Sequence, residues 1–192
     1  MSVAEIAMAL SMTVGRGAAA RSVAELADLD DEDRVVDVGC GPGTAVRVAA
    51  RQAQEAIGID PSRVSLRLAR WITRLRRVRT ATWLEGVAEF LPLEQGRLTV
   101  AWAVSSVHHW EDRVAALGEI HRILVPGGRV FLAERLVKAG ARGHTAHGLT
   151  SDQAAALASE MGSAGFSGVQ IERRDARRRT LVVVRGVRDD AG

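Results

Sequence analysis

Gly39, Gly41 and Gly43 follow a short apolar run in the stretch VVDVGCGPGT, residues 35–44. A strand, a glycine loop and a helix start in that order form a ligand-binding layout. Glycines let the backbone turn tightly and approach a ligand, and the helix start turns free N–H groups toward the loop. The third glycine comes one place too early for the dinucleotide fingerprint, because Thr44 stands where the last glycine belongs. That argues against a nicotinamide or flavin cofactor. Asp60, in GIDPS (58–62), lies 21 positions beyond Gly39. A carboxylate there can accept from both hydroxyls of a ribose, each charge-assisted bond being worth about 1.5–3 kcal/mol. Asp before Pro61 is also a helix N-cap pattern; the glycine loop favours the ribose.

A second group is SSVHHW, residues 105–110. Histidine titrates near neutral pH, so His108 and His109 can take a proton from a reacting group. Such residues also cap loops or pack under an aromatic ring, here Trp110. Trp110 is either a wall of a substrate pocket or plain core. His121 falls inside a helical pattern and reads as structural. His144 and His147, in HTAH, are too few for a zinc site, and no metal is expected.

These residues need a frame. Strand-like runs occur at Val35–Val38, Ala56–Asp60, Thr80–Leu84, Leu98–Val104 and Arg129–Glu134. Helical stretches lie between them at 44–54, 62–77 and 112–124. That rhythm predicts parallel pairing with crossovers and a sheet covered on both faces. VPGG (125–128) stops the third of those helices. Thr150 with Gln153 has the spacing of a capping box, so a helix starts there and runs to about Gly162. Val169–Arg173 and Thr180–Arg185 read as a closing antiparallel hairpin. Ligands of such sheets bind at the carboxyl ends of the strands, where Gly39–Gly43, Asp60 and His108 all fall.

Composition bounds the rest. Hydrophobic residues are 47% and charged residues 26%, which excludes a disordered chain. The net charge of +3 does not by itself indicate nucleic acid or membrane binding. A lone cysteine, Cys40, excludes an intrachain disulfide. The first residues carry Glu5 and no base, unlike a secretory leader. Val3, Ile6, Ala7, Leu10 and Val14 follow helical spacing and predict an amphipathic helix. No run reaches membrane-spanning length. The expected location is the cytoplasm. The chain reads as one domain, with a helical cover over 1–33 and a core over 34–192.

The motifs, taken in order, resemble the class I S-adenosylmethionine-dependent methyltransferases, in particular the type 11 and ubiquinone-biosynthesis group. VVDVGCGPGT resembles that family's first motif and GIDPSRVSLRLAR its second strand and helix. EGVAEFLPL (85–93) resembles the third motif, and residues 98–134 resemble the fourth strand, its helix and the fifth strand. The resemblance implies a Rossmann-like, doubly wound, mostly parallel seven-stranded sheet with a C-terminal antiparallel hairpin. It implies S-adenosylmethionine as cofactor. Gly39, Cys40 and Gly41 would lie along the methionine moiety, with Asp37 bracing the loop. Asp60 would hold the ribose, Val87 and Ala88 would flank the adenine, and Ala103 and Val104 would end beside the sulfonium.

Two positions depart from the family pattern. Val87 stands where an Asp usually accepts from the adenine amino group, and Thr99 stands where the fourth strand usually opens with Asp. The short cover and short 138–150 loop imply a shallow acceptor pocket, or one completed by a second subunit. Arg67, Arg70, Arg74 and Arg77 fall on one side of a helix, with Leu68, Trp71, Ile72 and Leu75 on the other. RRDARRR (173–179) falls at the hairpin tip. Both basic stretches read as solvated faces, with no aromatic platform among them, although RNA is the alternative acceptor. The expected function is methyl transfer to a small-molecule acceptor. A non-catalytic cofactor-binding domain of the same fold is the other alternative.

Overall fold

The computed structural model describes residues 16–141, 147–176 and 179–189. The amphipathic helix expected over 3–14, His144 and the hairpin tip at 177–178 lie outside them. A seven-stranded sheet runs through the molecule in the order β3-β2-β1-β4-β5-β7-β6. Its strands are β1 (Arg34–Val38), β2 (Glu55–Asp60), β3 (Ala81–Glu85), β4 (Leu98–Val104), β5 (Leu124–Arg135), β6 (Phe166–Ala176) and β7 (Arg179–Arg188). β1 to β5 pair in parallel; β7 is antiparallel to both β5 and β6. The expected fold is the observed one.

Alternation along the strands feeds two cores. Val36, Val38, Ile57, Ile59, Ala101 and Ala103 face α4 (Arg113–Ile123) and α5 (Ser151–Ser163). Val35, Ala56, Val100, Trp102 and Val104 face α1 (Arg16–Ala27), α2 (Thr44–Ala49) and α3 (Arg63–Leu75). Strands buried on both sides explain the near-continuous apolar runs in the sequence. Within the expected N-terminal cover, α1 lies against a face of the sheet through Ala20, Val23, Ala24 and Ala27.

Local signals set the helix boundaries. Ser62 accepts from the Ser65 amide, Asp112 accepts from the Ala115 amide, and Thr150 with Gln153 closes a reciprocal capping box. α4 stops before Pro126 as expected. α2 is shorter than the 44–54 expected. The chain turns after Ala49 because the amides of Gln54 and Glu55 must reach the Asp33 carbonyl to start β2.

α3 is rotated from its expected face. Leu66, Leu68, Ala69, Ile72 and Thr73 are buried, whereas Trp71 is 52% and Leu75 63% exposed. β3 is the last strand on that edge, and among the described residues no strand lies beyond it to cover the far side of the helix. An aromatic ring therefore does stand among the arginines. Arg70 itself donates to the Trp83 carbonyl at 3.1 Å.

At the amino ends of the strands, Asp33 is a buried hub. It accepts from the Thr99 hydroxyl at 2.6 Å and from Arg129 at 2.6 Å to each oxygen. Arg129 also donates to the Ala27 carbonyl, and Thr99 accepts from the Arg34 amide. One carboxylate thus ties α1, β1, β4 and β5 together. Burial pushes the Asp33 pKa up, but hydrogen bonds from Thr99, Arg129 and the Asp30 amide outweigh it, and the net shift is downward. Thr99 is a working part of this hub, far from the carboxyl ends.

Candidate functional site

The glycine loop joins β1 to α2. Gly39, Gly41 and Gly43 all have positive φ, at 76°, 52° and 76°, which L side chains rarely adopt. Protein side chains occupy two of the spaces the glycines leave. A Cβ on Gly39 would lie 2.5 Å from the Ser106 Cβ, and one on Gly43 would lie 2.0 Å from the Trp83 ring. At these two points the backbone approaches its own neighbours. Ser106 donates to the Val38 carbonyl at 2.6 Å and so stitches β4 to the loop. Ser105, before it, sits at φ 60°, a strained backbone that turns the chain sharply off the strand.

Asp60 is buried and braces the loop. Its carboxylate accepts from the Gly41 amide at 2.7 Å and from the Ser62 amide at 2.9 Å. Ser62, not Asp60, caps α3. A carboxylate offers about four lone-pair sites, so two remain for outside donors. The Gly39 and Cys40 amides are taken by the Ile59 carbonyl, at 2.8 and 2.9 Å. Asp37 is buried nearby. Burial, with Asp37 and Asp60 close by, pushes the Cys40 thiol well above its ordinary range. Cys40 is therefore a neutral packing residue rather than a nucleophile. Burial lowers the pKa of Arg47 to about 10, and its guanidinium donates to the Pro42 carbonyl.

On the rim, Ala88 is buried and Val87 is 44% exposed. The Val87 carbonyl accepts from the Phe90 amide at 3.3 Å. Ala103 and Val104 are both buried, in opposite cores. What they can offer a ligand is backbone.

The two histidines fall in a short 3-10 turn, Val107–His109. Glu134, at the end of β5, is fully buried. Its Oε1 lies 3.0 Å from His108 Nδ1 and 3.4 Å from the His108 amide. A buried carboxylate needs such a partner, and the contact fixes the ring with Nε2 as its outward nitrogen. His109 is exposed, with its ring centroid 4.0 Å from that of His108.

His147 also comes here, which spacing along the chain could not show. The loop leaving β5 returns as a bridge between Leu136 and Leu149, and the Leu149 amide donates to the Arg135 carbonyl. A Cβ on Gly148 would lie 2.1 Å from that carbonyl, at φ 144°, so only glycine allows the approach. The return sets the His147 ring 5.5 Å from that of His108. His121 is apart from the site and stacks edge-on against Phe166, and burial lowers its pKa.

One cleft borders His108 and a second lies elsewhere on the same molecule. One of about 670 Å3 is lined by Val107, His108, Trp110, Gly148 and Gln153, among others. Trp110 thus lines a pocket while its partly buried body packs on the core. The other, about 740 Å3, takes in Arg135, Lys138, Arg173 and Arg179.

Residues 36–132 match the methyltransferase domain model. That is half of the sequence, and it spans the glycine loop, Asp60 and the histidine turn. The chain belongs to the methyltransferase domain family. It is 28% identical to the uncharacterized methyltransferase YcgJ of Bacillus subtilis over 103 residues, 54% of this chain and 41% of that one. It is 30% identical to a ubiquinone biosynthesis O-methyltransferase of Alkalilimnicola ehrlichii over 100 residues, 52% of this chain and 40% of that one. The chain therefore spans less than half the length of these relatives. Its fold matches a putative methyltransferase of Haloferax volcanii, solved with the Trm112 methyltransferase activator. That match has a TM-score of 0.82 at 19% identity and covers 97% of this chain and 95% of that one.

The family match gives S-adenosylmethionine as the cofactor. The residues present suit it. Two buried carboxylates, Asp37 and Asp60, stand beside the loop, and they match a ligand that carries an ammonium, a sulfonium and a ribose diol. No helix among the described residues is long and apolar enough to cross a membrane.

Proposed function

We propose that this protein transfers a methyl group from S-adenosylmethionine to a small-molecule acceptor held beside His108. The observation that supports it most is the buried Glu134–His108 pair. It lies at the same carboxyl end of the sheet as the glycine loop and Asp60.

When bound, the cofactor supplies a methyl group on a sulfonium sulfur already activated to leave. The chain then has to hold, align and exclude water. Gly39 to Gly41 and Asp37 would line the methionine end, and Asp60 would use its remaining lone pairs on the ribose hydroxyls. Val87 and Ala88 would flank the adenine, and the backbone of Ala103 and Val104 would border the sulfonium. His108, steadied by Glu134, takes the acceptor's proton at Nε2 as the new bond forms; His109 stands beside it as a second imidazole. A small acceptor fits the cleft at Trp110, and it agrees with the relative named for ubiquinone biosynthesis. The second cleft, lined by Arg135, Lys138, Arg173 and Arg179 together with Asp152, suits an acceptor that carries an anionic group.

A nucleic-acid acceptor is the second reading, and the exposed Trp71 among Arg67 and Arg74 favours it. RNA binding that falls steeply with salt and is lost in Trp71→Ala would support it over the first.

The test is calorimetric titration with S-adenosylmethionine and S-adenosylhomocysteine, with NADH as control. Micromolar binding of the first two, weakened in Asp60→Ala, is expected. Failure of both to bind, or an unchanged dissociation constant in that variant, would sink the site assignment. Cofactor binding without turnover across broad acceptor panels would instead indicate a non-catalytic domain.

A further inference from the structure

Three imidazoles meet around His108, which lines the cleft at Trp110. His108 and His109 come from the turn after β4, and His147 comes from the returning loop after β5. One ring nitrogen from each lies within 4.8 Å of the other two. The ring centroids are 4.0, 5.5 and 6.3 Å apart. We propose that His108, His109 and His147 form a binding site for a divalent transition-metal ion, zinc in the first instance.

Three arguments support the site. The donor set is all imidazole, which suits zinc, nickel and copper rather than magnesium or calcium. Three protein ligands with one position open is the arrangement of a reactive zinc site rather than a closed structural one. The third is the support behind His108. Its Nδ1 faces the buried Glu134 at 3.0 Å, which is the carboxylate–histidine arrangement that orients a metal ligand and leaves Nε2 for the ion.

The geometry needs only modest closure. With Zn–N bonds of about 2.0–2.1 Å, tetrahedral ligand nitrogens sit about 3.4 Å apart. The rings of His109 and His147 are exposed, and an adjustment of the remaining ångström or so would bring the three nitrogens to bonding distance of one ion.

What the ion does there rests on the methyl-transfer reading. Its open position borders the acceptor cleft, where an acceptor oxygen can replace water. The bound O–H becomes more acidic and loses its proton to solvent. In the loaded protein His108 Nε2 is a ligand, so it does not take the proton itself. The acceptor class narrows to molecules with an oxygen able to bind the ion.

The test uses the full chain without any affinity tag, stripped with chelator. It is titrated with zinc by calorimetry and with cobalt by visible absorption. One equivalent per chain is expected. His109→Ala and His147→Ala should each weaken binding at least tenfold. Both side chains are exposed, so the fold should survive, which circular dichroism checks. Glu134→Gln should weaken binding about 10–100-fold. The proposal is overturned if the wild type takes up no equivalent, or if both alanine variants keep wild-type affinity. Titrating the same samples with S-adenosylmethionine separates the two readings: zinc bound without cofactor sinks the methyl-transfer reading alone.

Discussion

The carboxylate of Glu134 lies 3.0 Å from Nδ1 of His108, although 26 residues separate them in the chain. Adjacent parallel strands β4 and β5 end side by side, and each delivers one member. The pair predicts a positioning role for Glu134. Glu134→Gln should lower kcat for a proton-bearing acceptor about 10–100-fold, in the range of a lost orienting partner. S-adenosylmethionine affinity should stay within about twofold. Steady-state kinetics with parallel cofactor titration checks this; a change in KM or cofactor affinity alone would assign Glu134 to packing.

Gly39 and Ser106 are a matched pair. Gly39→Ala would place a Cβ 2.5 Å from the Ser106 Cβ. It should cost about 1–2 kcal/mol for the left-handed backbone and about 1–3 kcal/mol more for overpacking. Ser106→Gly in the same chain should restore the overpacking part only. A double-mutant cycle by urea unfolding reads this out, and strict additivity would show that the contact is not the cause.

Val87 offers no side-chain acceptor to an adenine amino group. Val87→Asp adds one at a position 44% exposed, where an extra carboxylate meets little desolvation. One hydrogen bond of about 0.5–1.5 kcal/mol corresponds to a gain of up to about tenfold in cofactor affinity. Calorimetry on the variant decides it, and unchanged or weaker binding would place the adenine elsewhere.

The Asp33 hub makes stability depend on acid. Its folded pKa lies below the ordinary carboxyl value, so the unfolded chain binds the proton more tightly. The stabilisation is complete above the unfolded pKa and is lost as pH falls through the folded one. Thr99→Val removes the hydroxyl donor. It should destabilise by about 1.5–3 kcal/mol at neutral pH, the range for a hydrogen bond to a charged group. It should also bring acid unfolding to a higher pH. Denaturant midpoints from pH 3 to 7 test the sign; equal loss at every pH would remove Asp33 from the explanation.

The linear order of residues determined the frame. Apolar runs of strand length, alternating with helical periods, point to a parallel sheet, because each crossover helix returns the chain in the same direction and covers a face. Thr150 with Gln153 and Pro126 marked helix ends through interactions a few residues long. Gly39, Asp60 and His108 were legible because chemistry in such sheets collects at strand ends, and strand ends can be counted. Tertiary structure decided what those residues touch. Gly39 faces Ser106 and Gly43 faces Trp83, contacts between segments more than 35 residues apart that no local spacing encodes. Trp71 and Leu75 turned outward because β3 is an edge, and strand order is not written in any one strand. Glu134 and His147 joined the histidine turn only when β5 settled beside β4 and the loop after it folded back at Gly148. A short-range signal survives in sequence because its partners are neighbours in the chain, whereas a site assembled from three strand ends exists only after the sheet has closed.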